Sequence, residues 1–186
     1  MIIYCHSTQH GRMESTGRAG TLGGNLPTPT PNSMKFIVDN NVGRLAGWLR
    51  ALGYDALFIN PIEDQDLVQI AQREGRTILT RDRGILRRRV VRSGEVPALA
   101  VESDDWRRQL AQVVRELALD ATPRLTRCMS CNGLLRACPR DDARPHVPPY
   151  VYQTQREFLV CDECTRHYWH GTHWQRIHDE LSALSQ

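Results

Sequence analysis

The sequence predicts an α/β protein in which a parallel sheet covered by helices precedes a small cysteine-rich module. Three observations carry this. Short apolar runs alternate with helical patterns from Lys35 to about Ala121. Four of those runs stop at, or within a few residues of, an aspartate. After Pro123, paired cysteines, prolines and aromatics replace the helical periodicity. Repeated β-α units of this length favour a parallel sheet with helices on both faces and short right-handed crossovers.

Phe36-Ile37-Val38 forms the first strand and runs into Asp39. Leu45, Trp48, Leu49 and Leu52 then recur at helical spacing, and Gly53 closes that helix as a C-cap. Ala56 to Ile59 is the second strand. Asp64 beyond it stands at the N-cap end of a helix marked by Leu67, Ile70 and Ala71, with Gly75 just past its last turn. Thr77 to Thr80 leads to Asp82 as the third strand, and Ala98 to Val101 leads to Asp104 and Asp105 as the fourth. Leu110, Val113, Val114 and Leu117 give a long amphipathic helix after that pair.

Runs of about four β-prone apolar residues read as buried parallel strands. Ligands of open parallel sheets sit outside the carboxyl ends of the strands. Asp39, Asp64, Asp82 and Asp104 are therefore expected to converge on one edge. Singly, each acid has an ordinary alternative, as a helix cap or a turn residue. Together they would repel one another, which implies bound divalent cations or a raised pKa. Mg²⁺ or Mn²⁺ takes oxygen ligands, and two such ions can serve an in-line phosphodiester displacement.

At 186 residues the chain is long enough for one good core plus a smaller module. A hydrophobic content of 40% with 24% charged residues is ordinary for a globular protein. A net charge of +3 is too small to imply nucleic acid by itself. No apolar run approaches the roughly 20 residues that span a bilayer. The N-terminus lacks a basic-then-apolar signal pattern, so the expected compartment is the cytoplasm. Residues 1–33, ending in Leu26-Pro-Thr-Pro-Thr-Pro31, are too poor in apolar groups to offset chain entropy and are expected to be disordered.

Six cysteines in a cytoplasmic chain suggest metal or redox chemistry. Cys5 lies apart, and the other five fall between Cys128 and Cys164. Cys128-x-x-Cys131 and Cys161-x-x-Cys164 can each present two thiolates from a tight knuckle, completing a tetrahedral Zn²⁺ site. A redox C-x-x-C would need one pair at the start of a helix after a strand, and neither pair has that setting. The spacing of Cys138 fits no knuckle. His167, His170 and His173 sit three apart, but Gly171 interrupts any helix there. The neighbouring Tyr168, Trp169 and Trp174 suggest packing around the cysteine module.

Arg81, Arg83, Arg87, Arg88, Arg89 and Arg92 crowd the segment beside Asp82. Arginine binds phosphate bidentately, although a solvated helix face would look the same. Arg44, near the start of the first helix, is placed to help hold a phosphate. No G-x-S-x-G elbow, P-loop or H-E-x-x-H is present, so those hydrolase classes have no support.

In order along the chain stand Lys35-Phe-Ile-Val-Asp39, Gly43-Arg-Leu-Ala46, Trp48-Leu-Arg50 and Leu52-Gly-Tyr-Asp55. Asp64-Gln-Asp-Leu67, Ala71, Glu74-Gly-Arg76 and Thr80-Arg-Asp82-Arg83 follow. This set resembles the Mut-seven C-terminal RNase domain, a branch of the PIN-like nucleases. Cys128-Met-Ser-Cys131-Asn132, Cys161-Asp-Glu-Cys164, Tyr168-Trp169 and Gly171-Thr-His173-Trp174 resemble its appended zinc ribbon. The resemblance covers roughly residues 34 to 180. It implies a PIN-like Rossmannoid core over 34–122 and a zinc ribbon over 123–186. It also implies metal-dependent cleavage of RNA, with RNA as partner and no membrane.

Carried across, Asp39 is the acid after the first strand and Asp82 the acid of the T-x-D turn. Asp64 precedes the second helix, with Asp66 as competitor, and Asp104 is the fourth acid, with Asp105 beside it. These four would hold catalytic Mg²⁺ or Mn²⁺, and the cysteine pairs a structural Zn²⁺. Arg44, Arg81, Arg83, Arg87 and Arg88 would position the RNA backbone. Asn41 and Gly47 depart from the apolar and basic residues expected at their positions. The alternative is a non-catalytic RNA-binding or adaptor protein in which the acids are relics.

Overall fold

The computed structural model describes residues 34–182. The stretch expected to be disordered, residues 1–33, lies outside the described residues, as do 183–186. The first half comprises β1 (Lys35–Val38), α1 (Arg44–Ala51), β2 (Asp55–Leu57), α2 (Asp64–Glu74), β3 (Thr77–Thr80), α3 (Arg83–Arg87), α4 (Arg89–Arg92), β4 (Ala98–Ala100) and α5 (Trp106–Glu116). The four strands form one parallel sheet in the order β2-β1-β3-β4. Phe36 lies opposite both Ala56 and Thr77, which makes β1 the pivot of the sheet. The chain leaves β1 to one side for β2 and then crosses back to the other side for β3. Between β1 and β3 the strand order reverses, and there an open α/β sheet forms its binding crevice.

Alternation along β1 sorts the core onto two faces. Phe36 and Val38 pack with Leu45 and Leu49 of α1 and with Leu110 and Val113 of α5. Ile37 packs on the opposite face with Leu67 and Ala71 of α2 and Ile85 of α3. Fully burying side chains of this kind contributes about 1.5–3 kcal/mol each, so the two layers account for why the helices lie where the periodicity predicts. Gly75 ends α2 at φ 63°, the left-handed cap expected of it.

Two local expectations change. Pairing of the second strand stops at Leu57 rather than Ile59, because Phe58 turns onto Gly43 and Ile59 is exposed. The arginine-rich segment forms α3 and α4, broken at Arg88 where ψ reaches 140°.

The second half begins with a linker pinned to α1, with Arg124 and Leu125 both donating to the Ala51 carbonyl. It continues through β5 (Leu135–Cys138), α6 (Arg140–Ala143), α7 (Pro149–Thr154), β6 (Phe158–Cys161), β7 (His167–Tyr168) and α8 (Thr172–Ser182). β5, β6 and β7 make an antiparallel sheet in that order. Its small core holds Cys138, Ala143, Val147, Phe158 and Val160, with Trp169 against it.

The terminal helix α8 carries Trp174, Ile177 and Leu181 at helical spacing, and Trp174 packs against the core of the first sheet rather than in the small core of the cysteine module. Its Ile177 and Leu181 enter the core of the first sheet beside α1 and α5, and Glu180 receives two hydrogen bonds from Arg107. No helix of the described residues is long and apolar enough to cross a membrane.

Candidate functional site

The carboxyl ends of β1 and β3 meet at the point where strand order reverses. The Asp39 amide donates to the Leu79 carbonyl at 3.0 Å, extending the ladder to the aspartate itself. Asp39 caps the 3-10 turn Asn40–Val42, one oxygen accepting from the Asn40 amide at 2.6 Å. Its other oxygen accepts from the Thr80 hydroxyl at 2.5 Å. That hydroxyl also accepts from the Asp82 amide at 2.8 Å. Thr80 is fully buried and Asp39 is 6% exposed, so these bonds form away from water. A single hydroxyl, donor to one acid and acceptor from the other, thus fixes the two strand ends in register. In the sequence Thr80 reads as the last residue of a strand, and its place in Thr80-Arg81-Asp82 is the one signal of this role.

The remaining predicted residues lie around this pair without closing on it. Asp82 accepts from the Gly84 amide at 2.5 Å and caps α3. Asp104 has a side chain 87% exposed and is hydrogen-bonded by Arg81. Its neighbour Asp105 caps α5, accepting from the amides of Arg107 and Arg108. Asp64 stands in the first turn of α2, 3.9 Å from Arg88, with Asp66 exposed nearby. Arg83 and Arg87 are exposed on α3, and Arg44 is exposed at the start of α1. Asn41 accepts from the Arg81 amide at 3.1 Å, which ties the loops after β1 and β3 together.

Among the described residues, the aspartates form no group of three close enough to hold one ion. Asp39, Asp82 and Asp104 each accept from a donor of their own, Asp64 lies 3.9 Å from Arg88, and like charges gain by staying apart. The donor chemistry nevertheless suits Mg²⁺ or Mn²⁺, which take carboxylate oxygens and keep several waters.

The cysteines do come together. The Sγ atoms of Cys128, Cys131, Cys161 and Cys164 lie within 4.8 Å of one another, a group that can hold a zinc ion. Across the knuckles, Cys128 and Cys164 are 3.5 Å apart and Cys131 and Cys161 are 3.4 Å apart. Zn–S bonds of about 2.3 Å would set tetrahedral sulfurs roughly 3.8 Å apart, close to these spacings. The knuckles repeat one geometry. Asn132 and Thr165, each following the second cysteine, have φ of 73° and 57°, and each amide donates at 3.0 Å to the carbonyl of the first cysteine. Gly133 permits the close approach, since a Cβ there would come within 2.5 Å of Glu163 and 3.0 Å of the Cys161 sulfur.

Burial pushes the Cys128 thiol up, yet hydrogen bonds from Tyr168 and the knuckle backbone outweigh it and bring it to about 7. Burial raises Cys131 and Cys164. Cys138 stays out of the quartet, in the small core. His167 stacks on His146, and His170 lies beside Trp174, so neither joins a metal group.

A second network joins the first knuckle to the parallel sheet. Arg50 of α1 is 4% exposed. It donates to the carbonyls of Ala56, Met129 and Ser130 at 2.8, 3.0 and 2.8 Å. Asn132 accepts from the Ala56 amide at 3.1 Å and donates to Asp55 at 2.7 Å. Asp55 also receives Arg76 at 2.7 Å and lies 3.8 Å from Arg127. The exposed edge of β2 is thereby closed by side-chain groups from the knuckle.

The family model described as "Mut7-C RNAse domain" matches residues 34–181. No curated protein and no solved structure matches the chain. A match over most of the length, on a chain that has the parallel sheet and the clustered cysteines, decides the matter: the protein belongs to the Mut7-C RNAse domain family.

Proposed function

We propose that the protein is a metal-dependent ribonuclease that hydrolyses RNA phosphodiesters, cutting endonucleolytically at the β1–β3 edge. The observation that carries this reading is the Thr80 hydroxyl bridging the Asp39 carboxylate and the Asp82 amide where strand order reverses. Asp39, Asp64, Asp82 and Asp104 would hold Mg²⁺ or Mn²⁺, which when bound would activate water and stabilise the leaving oxygen. The chain's own part is to orient and bind. Thr80 keeps Asp39 aimed at the edge, and Asn41 holds the Arg81 loop against it. Arg44, Arg81, Arg83, Arg87 and Arg88 supply phosphate contacts.

In this reading residues 34–122 form the nuclease unit. Residues 123–186 form a ribbon held by a structural Zn²⁺ on Cys128, Cys131, Cys161 and Cys164, aiding RNA binding. An adaptor reading is favoured by one observation, the pairing of Asp104 with Arg81 in place of a gathered acid cluster.

The test compares wild type with Asp39→Asn and Asp82→Asn in Mn²⁺-dependent cleavage of labelled single-stranded RNA. Both variants should lose cleavage while keeping fold and zinc content, because an amide keeps the shape and loses the charge. Equal cleavage by all three refutes the site. Tight RNA binding by a wild type that cuts no substrate establishes the adaptor.

A further inference from the structure

A cavity of about 500 Å³ opens beside the acid edge, bounded by the turn that follows Asp39, the start of α1 and the start of α5. Phe58 and Trp106 supply aromatic wall, Asn40 and Asn41 supply amides, Arg44 supplies a guanidinium, and Asp104 stands on the rim. From this arrangement we infer that the cavity takes the base of one nucleotide of single-stranded RNA, next to the phosphodiester that is cut. The inference rests on the ribonuclease reading above and names where its substrate's base goes.

The wall is built rather than incidental. Phe58 leaves the strand early to lie on Gly43, where a Cβ would come within 2.6 Å of the ring. A side chain at position 43 would push the ring aside. Trp106 stacks on Trp48 with centroids 4.3 Å apart and planes 8° from parallel, which fixes its orientation. The guanidinium groups of Arg107 and Arg44 lie 4.4 and 5.2 Å from the Trp106 ring, so Trp106, already stacked on Trp48, braces the wall and Phe58 is the ring left to meet a base. Every base has a π-face, so an aromatic wall binds bases broadly, while amides beside it read the hydrogen-bonding edge. Asn41 gives its oxygen to the Arg81 amide and keeps its NH₂ donors for a ligand. The Asn40 side chain has no hydrogen-bond partner among the described residues and can both donate and accept.

Size and position agree. Pockets of roughly 300–1,000 Å³ accommodate small ligands, and this cavity of about 500 Å³ falls in that range. Asn40 follows Asp39 directly, so a base seated here carries its phosphate toward the acids, with Arg44 beside the path.

The experiment is equilibrium binding of the full zinc-loaded chain, carrying Asp39→Asn so that the RNA stays intact, which is checked by gel. The probes are a short single-stranded RNA and an abasic ribose-phosphate chain of equal length and charge. The parent should prefer the base-bearing chain. Phe58→Leu, which keeps an apolar group on Gly43, should lose about tenfold of that preference and leave abasic affinity unchanged. Phe58→Tyr should restore it. Asn40→Ala, an exposed change, should alter the ranking among homopolymers of A, C and U. A parent that binds both chains equally or not at all overturns the inference, as do Phe58→Leu and Asn40→Ala both keeping the parent's preferences. Base preference in a protein whose wild type never cleaves leaves this pocket standing and sinks the nuclease reading. Cleavage without base preference does the reverse.

Discussion

Replacing Arg50 with Met should damage the first cysteine knuckle and the parallel sheet together. The guanidinium is almost wholly buried and spans α1, the edge of β2 and the first knuckle through three main-chain carbonyls. Burial pulls its pKa down, while the charges of Cys128, Cys131 and Asp55 pull it back up. The cation is therefore a clamp, and its charge would offset thiolates that hold a zinc ion. A hydrogen bond from a charged donor is worth about 1.5–3 kcal/mol, and an orphaned buried acceptor costs about 1–3 kcal/mol. Met129 and Ser130 are partly exposed and can regain water, whereas Ala56 is fully buried and cannot. Relief of the desolvated charge offsets part of the loss. A net cost of about 3 kcal/mol follows, equivalent to a fall in Tm of roughly 6–12 °C for a chain of this size.

The assay is thermal and urea unfolding of wild type, Arg50→Met and Arg50→Lys, with zinc transfer to a chromophoric chelator followed in parallel. Arg50→Met should release zinc faster. Arg50→Lys should be intermediate, since an ammonium keeps the charge but not the fork that reaches several carbonyls. Stripping zinc should shrink the difference between wild type and Arg50→Met, because the knuckle carbonyls then leave the clamp. A cost below about 0.5 kcal/mol with unchanged zinc release refutes the reasoning, as does an equal cost with and without metal.

Three further outcomes follow from named contacts. Thr80→Val keeps shape but strands a buried carboxylate oxygen and an amide, costing about 1–3 kcal/mol; RNA cleavage should fall by far more than that of a buried Thr→Val change elsewhere, and unchanged cleavage rates would remove Thr80 from the site. Burial pushes Asp55 up, but hydrogen bonds from Arg76 and Asn132 outweigh it and hold the carboxyl below the usual range. A depressed carboxylate contributes stability above its unfolded pKa of about 3.9 that is lost as pH falls through the folded value. The gap in urea midpoint between wild type and Asp55→Asn should thus be constant above about pH 5 and narrow on acidification; a constant gap at all pH values counts against the network. Thr165→Asn copies the other knuckle and relieves a β-branched residue at φ 57°, so thermal stability should rise by about 0.5–1 kcal/mol, and a fall would show that the Thr165 hydroxyl bond to the Cys164 carbonyl matters more.

Much of this molecule is written locally. The β-α alternation determined the parallel sheet, because buried strands and one-sided helices have different periods that survive in a single sequence. The C-x-x-C spacing determined the knuckles, because two thiolates from one tight turn need only local backbone geometry. Asp39 and Asp82 could be placed on one edge for the same reason, as residues that end neighbouring strands. The partners of those residues were beyond its reach. Arg50 reads only as a basic residue of the first helix until Met129 and Ser130 arrive from about eighty positions away. Asp104 reads as a gathered acid until the fold brings Arg81 to it, and Phe58 as a strand residue until Gly43 leaves room for its ring. Trp174, Ile177 and Leu181 mark one apolar face of α8, and only the fold assigns that face to the core of the first sheet rather than to the cysteine module. Periodicity records which way a side chain faces. Hydrogen bonds and ion pairs between distant segments leave no such period, so the tertiary structure alone decided which polar groups meet at the edge and at the knuckle.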